Sequence, residues 1–516
     1  MGDPGGSGTE VVIGLDSGTT ATKAVSAGAD GRVRATASVG YPLRVPAPGR
    51  AELDSNRLRA AAVEALGQVA GRAREEGDRV VAVCLSAAMH GLVPMDNDGL
   101  PRGPLLTWAD ARAAGEARVL ADGGRAGELH ARTGTPVHPM SPLTKLAWWS
   151  REDAQLVRDT ARWGGVKELV IAALCQTPHV VDRSCASATG LYDIHDLRWD
   201  PEALEVAGIR VEQLAEVVAT TQVLGTLRPD IAEATGLPRD TPLVAGASDG
   251  VLANLGVGAV QEGIAAVSIG TSAALRAVRS VPAIDEAGRL FCYALADERW
   301  VLGGAVNNGG SVVRWASRAF AAPFDDSAPE GEAADDLDAR LLAEAAVVPA
   351  GSDGLLCLPY LFGERAPWWQ PGLRGAYVGL RRRHGRGHLT RAAVEGVCQQ
   401  LALVRDAVEA AGLSLTEIRA TGGAVASPLW VSTLAAALNL PVRVADSPEG
   451  TGLGACLLGL YAQGAFSDLD EAAAVVALHD PVEPDAEDAQ RYRRTRPLVE
   501  RTAHALAEVF AELDRS

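Results

Sequence analysis

Lysine is almost absent from this chain of 516 residues. Only three of its 48 basic residues are lysines, at positions 23, 145 and 167, and the others are arginines. A lysine ammonium is a compact point charge, whereas an arginine guanidinium is a planar fork, so the two side chains serve different contacts. Lys23, Lys145 and Lys167 either survived this bias by chance or mark positions where a compact cation is needed.

Long apolar runs, paired cysteines and an excess of positive charge are also missing. No run reaches the roughly 20 apolar residues that span a bilayer. The seven cysteines are scattered without a CxxC pair, which is typical of reduced thiols in a cytoplasm and not of a zinc site or disulfide framework. The net charge of −17 disfavours nucleic acid and membrane partners, because both contacts rely on Lys and Arg. We therefore expect a cytoplasmic protein. We also expect residues 1–10 to form a flexible tail.

The composition favours a large folded protein of more than one domain. Hydrophobic residues make up 47% of the chain, and 516 residues exceed what one core usually holds. Strand-like runs alternate with Ala- and Leu-rich helical stretches, the pattern of an α/β protein. The clearest strands are 11–15, 80–85, 242–247, 265–270 and 441–445, and the clearest helices are 57–76, 389–411 and 428–438. An acidic, Pro-rich break near 321–331 predicts a surface loop.

Two distant stretches share one plan. Residues 11–25, VVIGLDSGTTATKAV, and residues 265–278, AAVSIGTSAALRAV, each give an apolar strand, a Gly-Thr turn, small residues and a basic residue. This echo predicts duplicated domains with one hairpin loop each. Asp16 of the first copy is replaced by Ser268 in the second, so the two halves differ chemically.

The Gly-Thr turns are candidates for phosphate binding. Such a turn presents backbone N–H groups and small hydroxyls to an anion without a bulky side chain in the way. Neither the P-loop pattern nor the dinucleotide-binding pattern follows a strand in this chain. A single hairpin of this kind is better explained by an ordinary β-turn, but two copies in one chain favour phosphate binding.

An aspartate follows the strand at 242–247. Asp249 stands in the sequence Ala-Ser-Asp-Gly, before a helical pattern. A carboxylate at a strand end suits a general base that takes a proton from a hydroxyl. The alternative is an N-cap for the following helix, which Asp also favours. The sequence alone slightly favours the cap, and the two roles are compatible.

Two further segments carry groups that suit small ligands. Residues 85–99 and 107–112 concentrate histidine, tryptophan, acid and arginine, which offer the donors, acceptors and flat apolar face that a polyol needs. A buried, hydrogen-bonded histidine is the plainer interpretation of His90. At Gly422 and Gly423 a strand ends and a helix follows. A flat ring could approach the backbone there, or the glycines could serve packing alone.

Together these segments resemble the FGGY family of carbohydrate kinases over roughly residues 10–475. Residues 375–395 fit the second signature of the family throughout, and residues 140–152 fit the first except at Trp149. The resemblance implies an α/β protein with two ribonuclease H-like (actin-type ATPase) domains around a central cleft. The implied division is a tail (1–10), an N-terminal domain for sugar and phosphate (11–246), a C-terminal domain for the catalytic Asp and ATP (247–478), and a loop with a closing helix (479–516).

The resemblance also implies roles for individual residues. Asp249 corresponds to the catalytic base and Asp16 to the acid that organises Mg²⁺. The ATP-binding positions are Gly18, Thr19, Thr20, Lys23, Gly270, Thr271, Gly310, Arg314, Gly423 and Ser427. The sugar-binding positions are Met89 and His90, with Trp108, Asp110 and Arg112 beside them.

Within the family, the segments most resemble members that phosphorylate gluconate. The implied reaction is ATP-dependent conversion of D-gluconate to 6-phosphogluconate, and the carboxylate of gluconate would need a cation, either Lys145 or Arg112. Two alternatives stay open: a kinase for another open-chain sugar or polyol, such as xylulose, and an inactive sugar-sensing homologue. The presence of Asp16, Asp249 and both Gly-Thr turns favours an active enzyme. A homodimer is one open option for the assembly.

Overall fold

The computed structural model of the protein describes residues 8–176, 179–321 and 332–513. Most of the expected tail and almost all of the expected acidic loop lie outside these residues. The predicted alternation of strands and helices is confirmed, and all eight of the clearest predicted elements are present within a few residues of their expected ends. None of the described helices combines the length and apolar character that crossing a membrane requires.

The strands are β1 (Glu10–Ser17), β2 (Ala21–Gly28), β3 (Val33–Gly40), β4 (Glu52–Leu53), β5 (Arg79–Ala87), β6 (Val93–Met95), β7 (Leu105–Leu106), β8 (Arg162–Gly164), β9 (Val180–Asp182), β10 (Tyr192–Asp193), β11 (Arg198–Trp199), β12 (Glu216–Val218), β13 (Val223–Thr226), β14 (Pro242–Ser248), β15 (Ile264–Ile269), β16 (Ala273–Arg279), β17 (Phe291–Ala294), β18 (Trp300–Val306), β19 (Leu356–Leu358), β20 (Ala376–Val378), β21 (Glu417–Thr421) and β22 (Val442–Val444).

The helices are α1 (Ser55–Glu75), α2 (Ala114–Asp122), α3 (Arg125–Thr133), α4 (Pro142–Glu152), α5 (Ala154–Asp159), α6 (Val166–Leu174), α7 (Arg183–Ser187), α8 (Pro201–Ala207), α9 (Pro229–Thr235), α10 (Asp249–Gly256), α11 (Ser311–Ala316), α12 (Glu332–Ala346), α13 (Arg386–Ala410), α14 (Pro428–Leu438), α15 (Gly450–Ala462), α16 (Leu469–Ala474) and α17 (Ala486–Leu513).

The chain forms two compact units, and neither is one continuous segment. The first unit holds the chain up to Gln261 together with Val278–Leu302 and Glu449–Ala477, and the second holds the remainder. Helices α10 and α15 therefore belong to the first unit. This partition differs from the sequence-based division after residue 246, because α15 returns to pack on the first sheet.

The first sheet has the strand order β13-β14-β5-β1-β2-β3. Strands β1, β2 and β3 are antiparallel neighbours, whereas β1, β5 and β14 run parallel. Side chains alternate between the two faces of a strand. Ile13 and Leu15 of β1 belong to the core that contains α1, while Val12 and Gly14 face α15. Helices thus cover both faces of β1, which explains why its sequence is a continuous apolar run.

The second sheet repeats this plan with the order β17-β18-β16-β15-β21-β22. Strand β15 pairs antiparallel with β16 and parallel with β21, and β21 pairs parallel with β22. In both sheets the Gly-Thr turn joins an antiparallel pair whose first strand also has a parallel neighbour. The duplication that the sequence predicted is confirmed, as is the α/β fold.

Glycines allow α15 to approach the first sheet and α10 very closely. A Cβ at Gly14 would lie 2.5 Å from the carbonyl oxygen of Gly452. A Cβ at Gly256, the last residue of α10, would lie only 1.6 Å from the carbonyl oxygen of Gly450. The glycine-rich start of α15 therefore serves close packing of backbone on backbone.

This packing gives a stability prediction with a matched control. Gly256→Ala should lower the free energy of unfolding by about 3 kcal/mol, because the new methyl must displace the backbone of α15. Gly71→Ala, in the C-terminal part of α1 with nothing near its Cβ position, should instead raise stability by about 0.5–1 kcal/mol. Urea denaturation measures both changes. Equal effects of the two substitutions would contradict this account of α15.

Candidate active site

The first Gly-Thr turn connects β1 to β2 and is held in place by a tyrosine. The amide of Gly18 donates to the carbonyl oxygen of Ala21 at 3.0 Å. The hydroxyl of Tyr41 donates to the carbonyl oxygen of Gly18 at 2.7 Å. Thr19 is half-buried and Thr20 is exposed. The turn therefore keeps a fixed backbone while its threonines stay within reach of a ligand.

Asp16, at the end of β1, lies near Asp249. Burial and then the charge of Asp249 raise the pKa of Asp16 to about 7, while Ser86, Lys23 and Lys167 act in the opposite direction. The Ser86 hydroxyl donates to Oδ1 of Asp16 at 2.7 Å. The structure thus brings together the two carboxylates that the sequence singled out.

Asp249 is the first residue of α10 and is not its N-cap. Ser248 occupies the N-cap position and has extended backbone dihedrals. Oδ1 of Asp249 accepts a hydrogen bond from the amide of Gly250 at 2.6 Å. The side chain is half-buried. Of the two interpretations that the sequence left open, the N-cap is wrong, because Ser248 occupies that position.

Lys23 faces the same side of the sheet as Asp16. The two residues are direct partners across the antiparallel pair of β1 and β2, and directly opposed side chains share a face. The side chain of Lys23 is 51% exposed and its ammonium lies 3.4 Å from Glu449. Such an exposed pair is weak, so the ammonium can leave Glu449 for a stronger anion.

One small cavity joins the first Gly-Thr turn to the expected sugar-binding residues. Gly18 and Thr19 line it together with Met89, Thr107 and Trp108. The indole N–H of Trp108 donates to Oγ1 of Thr19 at 2.9 Å. Residues expected to contact different parts of the substrates are therefore in direct contact with each other.

His90 is buried in an unusual backbone conformation. Its φ is +66°, a value that a non-glycine residue adopts at a cost and that often occurs at functional sites. The Nδ1 atom lies 2.7 Å from the carbonyl oxygen of Ala188, so Nδ1 carries a proton and donates it to that oxygen. The ring edge also packs on Tyr293, with centroids 5.9 Å apart.

Asp110 and Arg112 form a buried ion pair. Two nitrogens of Arg112 donate to the two Asp110 oxygens at 2.8 Å each, and the amide of Ala51 donates to Oδ2 at 2.8 Å. Burial opposes ionisation of Asp110, but these hydrogen bonds outweigh it and lower its pKa. Arg112 also pairs with Glu52 and lies over the Trp148 ring at 5.2 Å. The oxygens of Asp110 are thus engaged within the protein, and its geometry indicates support of the loop.

Lys145 is fully buried, and its ammonium faces the protein. Nζ donates to the carbonyl oxygens of His90, Thr107 and Met140, each at 2.7 Å. An ammonium has three donors, so the backbone takes all of them. This geometry corrects the expectation that Lys145 pairs with a substrate carboxylate. The residue instead fixes the three segments that carry His90, Trp108 and the start of α4.

The second Gly-Thr turn, in the second unit, is supported by the segment between β18 and α11. The amide of Gly310 donates to the carbonyl oxygen of Gly270 at 2.7 Å, and the amide of Gly309 donates to that of Thr271 at 3.0 Å. A Cβ at Gly309 would lie 2.5 Å from the carbonyl oxygen of Ser272. Gly270, Thr271 and Gly310, expected separately from sequence, thus form one structural group.

The remaining expected nucleotide positions differ in their surroundings. Arg314 pairs with Asp338 at 3.3 Å. Gly422 has a φ of +104°, and a Cβ there would lie 2.5 Å from the Ile269 carbonyl oxygen, whereas the Cβ position of Gly423 is open space. Ser427 is the N-cap of α14, and its side chain makes no capping hydrogen bond. Of the two glycines, Gly422 is therefore the packing residue and Gly423 leaves room for a flat group.

Three residues of this site carried no assigned role from the sequence. Ser86 donates a hydrogen bond to Asp16 across a separation of 70 residues, and Tyr41 holds the first turn. No sequence pattern gave either of them a role. Lys167 was marked only by the rarity of lysine. Its ammonium is buried and bonded to strand ends near both carboxylates.

Comparison with known proteins identifies the family. The N-terminal domain model of the FGGY family of carbohydrate kinases matches residues 11–256, and its C-terminal domain model matches residues 265–463. The chain belongs to the FGGY family of carbohydrate kinases. The expected enzyme class, a carbohydrate kinase that transfers phosphate, is thereby confirmed. FGGY carbohydrate kinases use ATP as the phosphate donor, as the sequence led us to expect.

Several FGGY relatives are similar along almost the whole chain. Gluconokinase from Bacillus subtilis is 39% identical over 98% of both chains, and xylulose kinase from the same organism is 27% identical over 93% of this chain and 94% of its own. Gluconate kinase from Lactobacillus acidophilus has a crystal structure with a TM-score of 0.91 and 32% identity over 98% and 99% of the two chains. A ligand-bound xylulose kinase from that organism gives the same TM-score and identity over 98% and 100%.

Proposed function

We propose that this FGGY kinase transfers the γ-phosphoryl group of ATP to D-gluconate and produces 6-phosphogluconate. The observation that supports gluconate most strongly is the 39% identity with a gluconokinase, against 27% with a xylulose kinase. Phosphorylation of xylulose or a similar open-chain sugar is the second candidate, because a solved xylulose kinase matches as well as the solved gluconate kinase does.

Asp249 is proposed as the general base. One of its carboxylate oxygens accepts from Gly250, and a carboxylate keeps further acceptor capacity for a sugar hydroxyl. As O6 of gluconate attacks the γ-phosphorus, Asp249 takes the hydroxyl proton and the bond from that phosphorus to the bridging oxygen breaks, which releases ADP. General base catalysis contributes about 10²–10⁴-fold to the rate.

The residues near Asp16 fit a magnesium ion. Mg²⁺ is commonly bound through one or two carboxylates, substrate phosphates and water. Asp16 and Asp249 supply two carboxylates whose mutual repulsion a divalent cation would relieve. Within the described parts of the chain there is no cluster of three or more His, Cys, Asp or Glu residues suited to a metal. Bound there through Asp16, the ion would offset charge on the phosphate oxygens.

The two Gly-Thr turns are proposed to bind the phosphates. Thr19 and Thr20 offer hydroxyls and amides, and Lys23 supplies a mobile cation for the γ-phosphate. Gly270 and Thr271 are proposed to contact the β- and γ-phosphates. The proposed adenosine contacts are Gly310, Arg314, Gly423 and Ser427.

The sugar end of the site is proposed to rest on Met89, His90 and Trp108. Arg112 is the better candidate for the gluconate carboxylate, because the donors of Lys145 are taken by the backbone. Within the described residues, the hydrogen bonds of Arg112 to acidic groups come from Nε and Nη2. Its Nη1 is therefore the atom that we assign to the carboxylate.

The reaction is tested by measuring ADP release with a panel of gluconate, xylulose, glycerol and other aldonates and polyols. Gluconate should give the highest kcat/KM. Asp249→Asn should lower kcat by about 10²–10⁴-fold, because the general base is lost. The product should be identified as 6-phosphogluconate by NMR. Preference for an uncharged sugar would favour the second candidate, and a fully active Asp249→Asn enzyme would refute the base.

The carboxylate contact is tested by Arg112→Lys. The substitution should raise KM for gluconate by at least about tenfold, since a charge-assisted hydrogen bond is lost. KM for a polyol without a carboxylate serves as the control, because damage to the loop alone would raise both values equally. A gluconate KM that changes no more than the polyol KM would contradict the assignment.

Magnesium binding near Asp16 predicts a pH effect that Ser86 controls. Protonated Asp16 cannot hold the ion, so the affinity for Mg²⁺ should fall as the pH drops through about 7. Ser86→Ala removes a hydrogen bond that lowers the pKa of Asp16, so this fall should begin about one pH unit higher. The measurement is KM for Mg²⁺ at saturating ATP between pH 6 and 9. Comparison with the wild type cancels the titration of ATP itself, and superimposable profiles would contradict the role of Asp16.

A further inference from the structure

Lys167 lies in the first turn of α6 with its side chain fully buried. Its ammonium donates to the carbonyl oxygens of Leu85 at 2.8 Å, Ala245 at 2.7 Å and Ala247 at 3.2 Å. One donor group therefore ties the end of β5 to the end of β14. These are the strands that lead to Ser86 and to Asp249.

The carbonyl groups need this donor because the sheet is irregular at that point. The pairing of β14 with β5 shifts register between Val244 and Ala247. Gly246 has a φ of +69°, and a Cβ there would lie 1.6 Å from the carbonyl oxygen of Leu85. Buried carbonyl groups outside the regular ladder must find another donor, and Lys167 supplies it.

A buried aspartate keeps the charge on Lys167. Asp182 Oδ2 lies 3.3 Å from the ammonium, and both side chains are almost completely buried. Burial opposes the charge of Lys167, but Asp182 outweighs it and the pKa of Lys167 is raised. The other oxygen of Asp182 accepts from the amide of Cys185 at 2.8 Å, which fixes the start of α7.

We propose that Lys167 is a positioning residue for phosphoryl transfer, which fixes the strand ends that present Asp249 and the Ser86 partner of Asp16. This inference rests on the roles proposed above for Asp249 and Asp16. Asp249 follows the tethered Ala247 by two residues, and Ser86 is the residue after the tethered Leu85. An ammonium can aim three donors at three convergent carbonyl oxygens, whereas the planar fork of arginine cannot.

Lys145 provides a matched comparison within the same unit. It is also fully buried and also donates to three carbonyl oxygens, but those belong to His90, Thr107 and Met140. Its tether holds the sugar-binding segments and not the strand ends that carry the carboxylates. The two lysines should therefore affect different kinetic parameters.

The test replaces each lysine by methionine and measures kcat and KM for the sugar at saturating ATP. Lys167→Met should lower kcat by at least about 100-fold with KM changed less than about threefold, since small displacements of reacting groups cost that much. Lys145→Met should instead raise KM by at least about tenfold. Indistinguishable effects of the two variants, or a Lys167→Met effect on KM alone, would overturn the proposal.

A second variant separates positioning from stability. Lys167→Met leaves Asp182 as an unpaired buried charge, which can prevent folding. The double variant Lys167→Met with Asp182→Asn removes both charges, while the asparagine oxygen can still accept from Cys185. A positioning role predicts that the double variant regains thermal stability but keeps the low kcat. Recovery of kcat in the double variant, or failure of both variants to fold, would assign Lys167 to stability alone and overturn the proposal.

The measurements also separate this inference from the proposed function. If the wild type prefers another sugar of the panel, the kinetic comparison is made with that sugar, so an error in the substrate leaves the test intact. Asp249→Asn is measured beside the lysine variants. An active Asp249→Asn enzyme refutes the base, whereas a low kcat in that variant together with normal kcat in Lys167→Met refutes the positioning role.

Discussion

Repulsion between two carboxylates, Asp16 and Asp249, is the constraint that the rest of the first unit accommodates. Burial raises the pKa of Asp16, and the charge of Asp249 raises it further. The protein keeps the pair in place with the Ser86 hydroxyl and with the nearby charges of Lys23 and Lys167. In the proposed function, a divalent cation that enters with ATP would offset the remaining negative charge of the two carboxylates.

The second requirement is rigid support. Two like charges would move apart unless the backbone held them in place. Two buried lysines each hold three backbone carbonyl groups, one set next to the carboxylates and one set next to the sugar-binding segments. Glycines also bring the backbone of α15 into close contact with β1 and α10, so α15 cannot shift without a steric clash. Positioning of this kind is the main contribution of a protein to phosphoryl transfer.

Much of the fold could be predicted because its signals are local. Apolar runs marked the strands, and the repeated Gly-Thr turn predicted the duplication that both sheets confirm. The orientation of Lys145 could not be predicted, because its three acceptors are 5, 38 and 55 residues away along the chain. The role of Ser86 could not be predicted for the same reason, because its partner Asp16 is 70 residues away along the chain. The two adjacent glycines, Gly422 and Gly423, look alike in sequence, and only the neighbouring strand distinguishes them.

The central claim is that Asp249 meets the attacking hydroxyl while Asp16 serves the metal. A crystal structure with gluconate, Mg²⁺ and a non-hydrolysable ATP analogue tests it most directly. The account predicts the terminal hydroxyl oxygen of gluconate within about 3.2 Å of a carboxylate oxygen of Asp249, and the magnesium ion on the side of Asp16. A gluconate molecule whose carboxylate, not its terminal hydroxyl, approaches Asp249, or a metal ion held away from Asp16, would contradict it.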